Sequence, residues 1–568
     1  MKNIPLYEVR KIRDLRDMLQ QSVNLYREKD AFLIKKNKGE AYTGISYKQY
    51  SDDIQALGTS LCHLSGHGSR IAIIAETRYE WYVTYLAVTN GTGIVIPLDK
   101  ELPKQEIASL LNRSYADCIV YSSSKQSVID EIRDQIPTVK HFVCMDEPKE
   151  GNDARYFWDL IRDGNTRLDS GDRVFLDAEI DPEAMTILLF TSGTTDKAKA
   201  VMLSQRNVAA NLEGMCSMLY IGPGDMFLSV LPLHHTYECT CGFLCPIYRG
   251  CTIAQCEGLR YITKNMQEAK TTIILVVPLM LEMFYRGIMK KAKADKKMER
   301  KFNFAMTLTR GLRRVGIDTR KKIFKTVHDG FGGHLRMMIS GGAAIDPMIL
   351  KNLQDLGFPC VQGYGLTECA PILALNRDVD FNNRAAGLPL PCVDVKIIDK
   401  DENGIGEIIG KGPNVMIGYY ENPEATAAAI DADGYYHSGD LGFLDENGFV
   451  LITGRKKNVI ISKNGKNIFP EEIESLLSRS SFVAESLVSG QDDGKDDIVV
   501  TVEIYPNSEA VEAALGKEPS PDAVQKLFEA EVRKVNEQLV PYKHIRRIKV
   551  RDTEFEKTTS RKIKREYK

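Results

Sequence analysis

Short apolar runs alternate with segments of helical periodicity through the first half of the chain. Arg70-Ile71-Ala72-Ile73-Ile74-Ala75, Gly93-Ile94-Val95-Ile96-Pro97-Leu98 and Asp117-Cys118-Ile119-Val120-Tyr121 have the form of buried strands. Helical patterns over 46–61, 80–90 and 104–112 precede or separate them. Ser46 with Gln49 three residues on has the form of a capping box at the start of the first helix. Strands and helices at this spacing predict a parallel α/β sheet. The stretch 146–176 is polar and irregular and reads as a connection. The alternation then resumes, with a strand at 185–189, a helix over 205–219, and strands near 226–231, 251–254, 272–277 and 335–339. From about 393 the texture changes to short β runs punctuated by Asn403-Gly404, Asp433-Gly434 and Asn447-Gly448, which predict a small β subdomain. Beyond Arg455 the chain reads as a separate α+β lobe of ~110 residues, within the usual range for a domain. No internal repeat is present at a solenoid period.

Composition narrows the class. At 568 residues the chain needs several cores, and 43% hydrophobic with 27% charged residues is the balance of a globular protein. A formal net charge of −2 gives no global field for nucleic acid or an anionic membrane. Twelve scattered cysteines suit a reducing compartment, where they act as small buried hydrophobes. The start of the chain, from Met1 to Arg13, lacks the apolar core of a secretion signal. The apolar run around 273–281 contains Pro278 and is too short to span a bilayer. The expectation is a cytoplasmic protein, with membrane association left open. The stretch 289–325 is rich in lysine and arginine; it reads as a solvated helical face, or as a basic surface for cofactor phosphates or lipid headgroups.

Chemistry concentrates in a few loops. Thr191-Ser192-Gly193-Thr194-Thr195-Asp196-Lys197-Ala198-Lys199 follows a strand. Hydroxyls and backbone N–H groups there can donate to phosphates, and lysine adds charge; a polar surface turn is the plain alternative. It is not a Walker loop, since G-x-x-x-x-G-K-[ST] is absent. Ser340-Gly341-Gly342-Ala343-Ala344 has small residues that let a flat ring lie against backbone, or else make a tight turn. Gln362-Gly363-Tyr364-Gly365-Leu366-Thr367-Glu368 sets one acid among glycines, and Glu368 suits Mg²⁺. Asp440, after His437-Ser438-Gly439, can accept from ribose hydroxyls or cap the next segment. His234 and His235 lack the ligand set of a zinc site and fit a pocket wall better.

In this order, together with Leu231-Pro232-Leu233-His234-His235, Gly454-Arg455-Lys456-Lys457 and the tail Lys557–Arg565, these stretches resemble the adenylate-forming superfamily. The resemblance runs from about Ser46 to Arg565. The 433–441 run, Arg455-Lys456-Lys457 and the stretch 464–474 are similar to the long-chain fatty acyl-CoA synthetase branch. The resemblance implies a large N-terminal domain over 1–455 of stacked α/β subdomains, with the β subdomain at about 393–455. A hinge at 456–458 and a mobile α+β C-terminal domain at 459–568 would follow. It implies an AMP-forming ligase that activates a medium- or long-chain fatty acid with ATP and Mg²⁺ and passes it to CoA. Loading of a carrier-protein phosphopantetheine, aromatic acids as substrates, and a catalytically silent nucleotide-binding homologue are the alternatives.

The resemblance also implies roles. Thr191, Ser192, Gly193, Thr194, Thr195 and Lys199 would cradle the β- and γ-phosphates, and Thr191 and Glu368 would hold Mg²⁺. Gly341, Gly342 and Ala343 would pack on adenine beside Gln362, Gly363, Tyr364 and Thr367. Asp440 and Arg455 would bind ribose. Lys562 would bridge carboxylate and phosphate oxygens during adenylation, His235 would line the acyl pocket, and Lys457 would be the hinge. The chain departs from the family pattern at Asp196, Ala198 and Ala200, where glycine, proline and glycine are usual, and at Arg561, where glycine is usual.

Overall fold

The computed structural model describes residues 5–149, 153–191, 198–462, 466–492, 498–557 and 563–565. Its backbone divides into two compact units, Met1–Val395 with Gly410–Tyr436, and Lys396–Ile409 with His437–Lys568.

Among the described residues the first unit contains two large mixed sheets. One has eight strands in the order Gly418–Tyr419, Lys199–Ser204, Met185–Thr191, Gly93–Pro97, Ser69–Ile74, Cys118–Tyr121, His141–Cys144 and Arg155–Tyr156. The strands from 185–191 onward pair in parallel. The 199–204 strand runs antiparallel to both its neighbours. The other sheet has nine strands, with 360–365, 337–340, 273–276, 226–229, 252–255 and 30–34 parallel in its centre. The central strands are apolar on both faces, as expected when helices cover a parallel sheet. Three helices therefore read as the sequence suggested: Tyr47–Ser65, Lys104–Arg113 and Gln205–Cys216 each bury an apolar face, whereas Tyr79–Ala87 is buried all round.

Three expectations change. The 146–176 connection contains a helix, Phe157–Asp169, which buries Phe157, Leu160, Ile161 and Gly164. Gly164 is what docks it: a Cβ there would lie 1.9 Å from the Ala56 carbonyl oxygen. At 46–49 only half of the capping box forms. Ser46 Oγ accepts from the Gln49 N–H at 3.1 Å, but the Gln49 amide donates to Asp53 Oδ1 at 2.8 Å instead of returning to the cap. The helix expected over 80–90 stops at Ala87 and continues as a wide turn, Val88–Thr92, broken at Gly91.

The second unit has a four-stranded sheet in the order Asp394–Ile398, Gly406–Lys411, Tyr436–Leu444, Val450–Arg455. It also has a three-stranded sheet of Val483–Asp492, Ile498–Pro506 and Arg547–Val550, covered by helices Pro470–Leu477, Ser508–Leu515 and Pro521–Asn536. Ile473, Leu477, Val488, Val502, Ile504, Phe528 and Val532 close its core.

Candidate active site

The phosphate-loop stretch grows out of a hairpin. The 185–191 and 199–204 strands pair antiparallel with Thr191 opposite Lys199, and the Thr191 hydroxyl reaches the Lys199 carbonyl oxygen at 3.4 Å. Ser192, Gly193, Thr194, Thr195 and Asp196 lie outside the described residues. On the other edge of the 199–204 strand sits Gly418–Tyr419, in register with Met202 and Val201. The Lys199 Nζ lies 4.5 Å from the Tyr419 ring centroid, a cation–π contact that aims the lysine along this edge.

Tyr419 ties the hairpin to Glu368. Its hydroxyl donates to Glu368 Oε1 at 3.0 Å. Glu368 is half-buried in a short turn, Thr367–Cys369, whose backbone is fixed by the Met416 N–H donating to the Glu368 carbonyl at 2.8 Å. Burial and then the Glu368 charge push the Tyr419 phenol up, and the same two causes push Tyr436 up, so both rings stay protonated donors. Thr191, Lys199 and Glu368, far apart in sequence, are thus brought to one place.

The sequence reading gave no role to Tyr419, which sits outside the glycine- and hydroxyl-rich stretches, nor to Tyr436, which lies within the 433–441 run. No local signal marked Tyr419; its position follows from the pairing of Gly418–Tyr419 with Met202 and Val201.

The test for a divalent cation is the donor set. Glu368 supplies a carboxylate, whose recorded side-chain partner is the Tyr419 hydroxyl, and Thr191 supplies a hydroxyl. No protein-only cluster of three or more His, Cys, Asp or Glu exists among the described residues. Mg²⁺ prefers one or two carboxylates completed by phosphate oxygens and water, so the residues fit that ion.

The glycine stretch follows the end of strand Met337–Ser340, while its parallel neighbour Cys360–Gly365 runs on to Gly365. Ser340 pairs with Gln362 in register, which sets Gly341, Gly342 and Ala343 beside Gly363 and Tyr364. Gly341 already has a flat ring against it. A Cβ there would come 2.8 Å from Tyr237 Cζ, and Tyr237 donates its hydroxyl to the Ile339 carbonyl at 2.8 Å. Gly342 has φ +86 and is exposed, and a Cβ there would meet only Val277 Cγ1, at 3.9 Å, so its exposed face is the one free for a ring. Gln362 is buried and spends both amide hydrogens on the carbonyls of Asn383 and Ala385, at 3.0 and 2.8 Å. Thr367 opens the Glu368 turn and its carbonyl accepts from Ala370.

His234 and His235 stack at 4.1 Å between ring centroids. His234 Nε2 lies 3.5 Å from Asp99 Oδ2. Burial, reinforced by the His235 charge, lowers the His234 pKa to about 3, so this ring is neutral at physiological pH. Next to them Leu233, Thr236, Cys239 and Thr240 line a cavity of about 10 Å³ with Leu189 and Val208, room for roughly one water and not for an acyl chain. All twelve cysteines are free thiols and ten are buried, so Cys239, Cys241 and Cys245 act as core residues.

In the second unit Asp440 and Arg455 are register partners on adjacent antiparallel strands. Arg455 Nε lies 2.6 Å from Asp440 Oδ1, with the carboxylate buried and the guanidinium half-exposed. The Asp440 N–H donates to Ser438 Oγ at 3.0 Å, and Ser438 donates to the Ile408 carbonyl at 2.6 Å. Lys457 is exposed in the short turn Lys456–Asn458, where Lys456 pairs with Glu407 at 2.8 Å. Lys562 and Arg561 lie outside the described residues. Beside them, Lys557 bridges Ile563 in antiparallel fashion and Arg565 holds Glu474 at 2.6 Å.

A family model described as AMP-binding enzyme matches residues 19–420. Long-chain-fatty-acid–CoA ligase 5 of Rattus norvegicus is 30% identical over 494 residues, 80% of this chain and 70% of that protein. Long-chain-fatty-acid–CoA ligase 1 of Cavia porcellus is 28% identical over 518 residues, 84% and 72% of the two chains. Among solved structures, the anthranilate CoA ligase AuaEII in complex with anthranoyl-AMP matches 99% of this chain and 96% of its own, with a TM-score of 0.76 at 20% identity. The Mycobacterium tuberculosis fatty acyl CoA synthetase matches 97% and 96%, with a TM-score of 0.65 at 20% identity. At these identities the structural likeness speaks for the fold alone.

Proposed function

The chain belongs to the AMP-binding enzyme family, in the long-chain acyl-CoA synthetase branch of the adenylate-forming superfamily, and on that premise we propose that it joins a medium- or long-chain fatty acid to CoA. It is an AMP-forming acid–thiol ligase that uses ATP, Mg²⁺ and CoA. The carboxylate oxygen attacks the α-phosphorus of ATP. The bond to the β-phosphate oxygen breaks and pyrophosphate leaves with its electrons. The CoA thiolate then attacks the acyl carbon of the adenylate and AMP departs. Negative charge grows on the transferring phosphoryl group, so fixed donors and cations are the main catalytic resource.

The observation that carries this reading is the convergence of Thr191, Lys199 and Glu368 around Tyr419. Lys199 and Thr191, with Ser192, Gly193, Thr194 and Thr195, bind the β- and γ-phosphates. Glu368 and Thr191 hold Mg²⁺, which neutralises phosphate oxygens when bound. Gly342 and Ala343 offer the open backbone for adenine; Gly341, Gln362, Gly363, Tyr364 and Thr367 shape its surroundings. Asp440 accepts from the ribose hydroxyls, oriented by Arg455. Lys562 bridges carboxylate and phosphate in the first half-reaction. His235 lines the acyl side, and Lys457 is the pivot of a small C-terminal domain that begins at about 459. CoA is the favoured acceptor, a carrier-protein phosphopantetheine the other.

A second reading, an aromatic acid as substrate, is motivated by the likeness of the fold to an anthranilate CoA ligase. One panel separates the two. Pyrophosphate release is measured with straight-chain acids of increasing length and with benzoate and anthranilate, with and without CoA. The proposal expects the rate to peak at medium or long chains, with AMP and acyl-CoA formed when CoA is present. A peak at aromatic acids would replace the substrate assignment. No acid-dependent pyrophosphate with any of them would overturn the enzymatic reading.

A further inference from the structure

No step of the two half-reactions uses Glu407. It is nevertheless a buried carboxylate, 5% exposed, on the strand next to the one that carries Asp440. A charge sealed from water costs free energy unless cations or N–H donors meet it. Both Glu407 oxygens are met, and from opposite ends of the Asp440–Arg455 pair. Oε1 accepts from the Gly439 N–H at 3.1 Å, one residue before Asp440. Oε2 accepts from Lys456 Nζ at 2.8 Å, one residue after Arg455. The His437 ring also faces it, with Nδ1 3.8 Å from Oε2.

The backbone before Asp440 needs that hold. Gly439 takes φ +68 inside the strand Tyr436–Leu444, a left-handed bend foreign to extended chain, and a Cβ there would meet nothing within 4 Å. Packing around Gly439 therefore does not set the bend; hydrogen bonds do. The Gly439 N–H goes to the Glu407 carboxylate. Ser438 Oγ accepts from the Asp440 N–H at 3.0 Å and donates to the Ile408 carbonyl at 2.6 Å. Residues 407 and 408 thus hold residues 438 to 440 from the neighbouring strand. The Asp440 carboxylate, 2.6 Å from Arg455 Nε, takes its direction from that backbone. All of these residues belong to the second compact unit.

We propose that Glu407 is a positioning residue of the nucleoside site: it fixes the backbone bend that aims Asp440 at the ribose, while Lys456 offsets the cost of burying its charge. The inference rests on the reading of Asp440 as the acceptor for ribose hydroxyls, and Glu407 acts through Asp440 rather than by contact with the nucleotide. A neutral acceptor is enough for the Gly439 N–H, so the amide oxygen of glutamine should serve at 407. An apolar side chain of the same length should not, because it leaves the N–H without its acceptor. A role confined to stability would lower the melting temperature and leave nucleotide affinity alone.

The test is the AMP affinity of the full chain by calorimetry, with the KM values for ATP and fatty acid measured beside it. Asp440→Ala, the reference, should weaken AMP binding by about tenfold or more. Glu407→Met should weaken it by about three- to tenfold and raise the ATP KM by a similar factor, with the fatty-acid KM unchanged. Glu407→Gln should stay within about twofold of the parent. In the Asp440→Ala background Glu407→Met should add no further loss, because its effect passes through Asp440. Should Glu407→Met not fold, Glu407→Asp, which keeps the charge and draws the acceptor back by one methylene, should weaken AMP binding in its place. A parallel rise in both KM values, a glutamine variant as weak as the methionine one, or additive losses in the double variant would each overturn the proposal. Asp440→Ala weakened beside a Glu407→Met or Glu407→Asp that binds like the parent would strike this inference alone. Asp440→Ala binding AMP like the parent would remove the ribose assignment, and the role of Glu407 with it.

Discussion

Glu238 and Glu368 stand in nearly the same local sequence, Tyr237-Glu238-Cys239 and Thr367-Glu368-Cys369, and the fold treats them in opposite ways. Glu238 is 1% exposed in the wide turn Tyr237–Leu244, with Ser229 Oγ donating to it at 2.5 Å. Burial raises its pKa to about 8, so at pH 7 it is mostly a neutral acid inside the wall beside the His234–His235 pair. Glu368 is half-buried on a short turn, with one phenol donor and an approach from the hairpin that carries Thr191 and Lys199. Each carboxylate accepts from one hydroxyl, of Ser229 or of Tyr419; what differs is access to water. A carboxylate sealed from solvent without a cation takes a proton, whereas one at the surface with a hydroxyl donor can meet a metal ion and phosphate.

The sharpest test of that contrast exchanges the charge at each site. Glu368→Gln should cut acid-dependent pyrophosphate release by about 100-fold or more, the usual effect of losing a group that stabilises transition-state charge. Glu238→Gln should leave the rate within a few-fold. Equal losses in both variants would dissolve the distinction. Asp440 offers a third case, a buried carboxylate whose partner is Arg455. Asp440→Ala should raise the ATP KM by about tenfold or more with a smaller change in kcat, as expected for a charged hydrogen bond to ligand. An unchanged ATP KM would remove it from the ribose assignment.

Stability against pH sharpens the comparison further. The Glu238 pKa rises on folding from 4.5 to about 8. The folded state thus holds an extra proton across that window, and its stability contribution, complete below 4.5, falls as pH rises to 8. His234 shifts the other way, from 6.5 to about 3. Its contribution is complete above 6.5 and is lost as pH falls toward 3. Between 4.5 and 6.5 the two slopes oppose each other, and from 6.5 to 8 Glu238 acts without His234. Melting temperature should therefore decline for the parent between pH 6.5 and 8, and Glu238→Gln should flatten that decline. A parallel decline in the variant would assign the slope to other groups. The smallest effect is expected from Tyr419→Phe, which removes one neutral hydrogen bond and should cost about three- to tenfold in rate. Its mark should be a changed Mg²⁺ dependence, and an unchanged one would separate Tyr419 from the metal site.

Much of the fold could be read from the chain because its central strands are buried on both faces. Runs such as Ile71–Ile74 and Cys118–Tyr121 are apolar without interruption and sit between amphipathic helices. The helix Phe157–Asp169 escaped because its exposed face is rich in Asp, Arg and Asn, and because Gly164, a poor helix former, is there for packing against Ala56. Thr191, Lys199 and Glu368 were candidates because each lies in or beside a glycine- or hydroxyl-rich stretch, and the fold brings them together around Tyr419. Tyr419 was not, since its role depends on an edge pairing with Val201 that no local pattern announces. Gly341 was read as room for a ligand ring, and its nearest ring is Tyr237. Glu238 was invisible for a different reason: nothing around it in sequence distinguishes a buried acid from an exposed one.

The account rests on an acyl-adenylate formed before the thiol takes part. Exchange of labelled pyrophosphate into ATP, driven by a fatty acid and Mg²⁺ with CoA left out, measures that step alone. The chain should catalyse this exchange, with Glu368→Gln strongly impaired and Glu238→Gln close to the parent. Exchange that appears only when CoA is added, or that proceeds equally in all three proteins, would contradict the account.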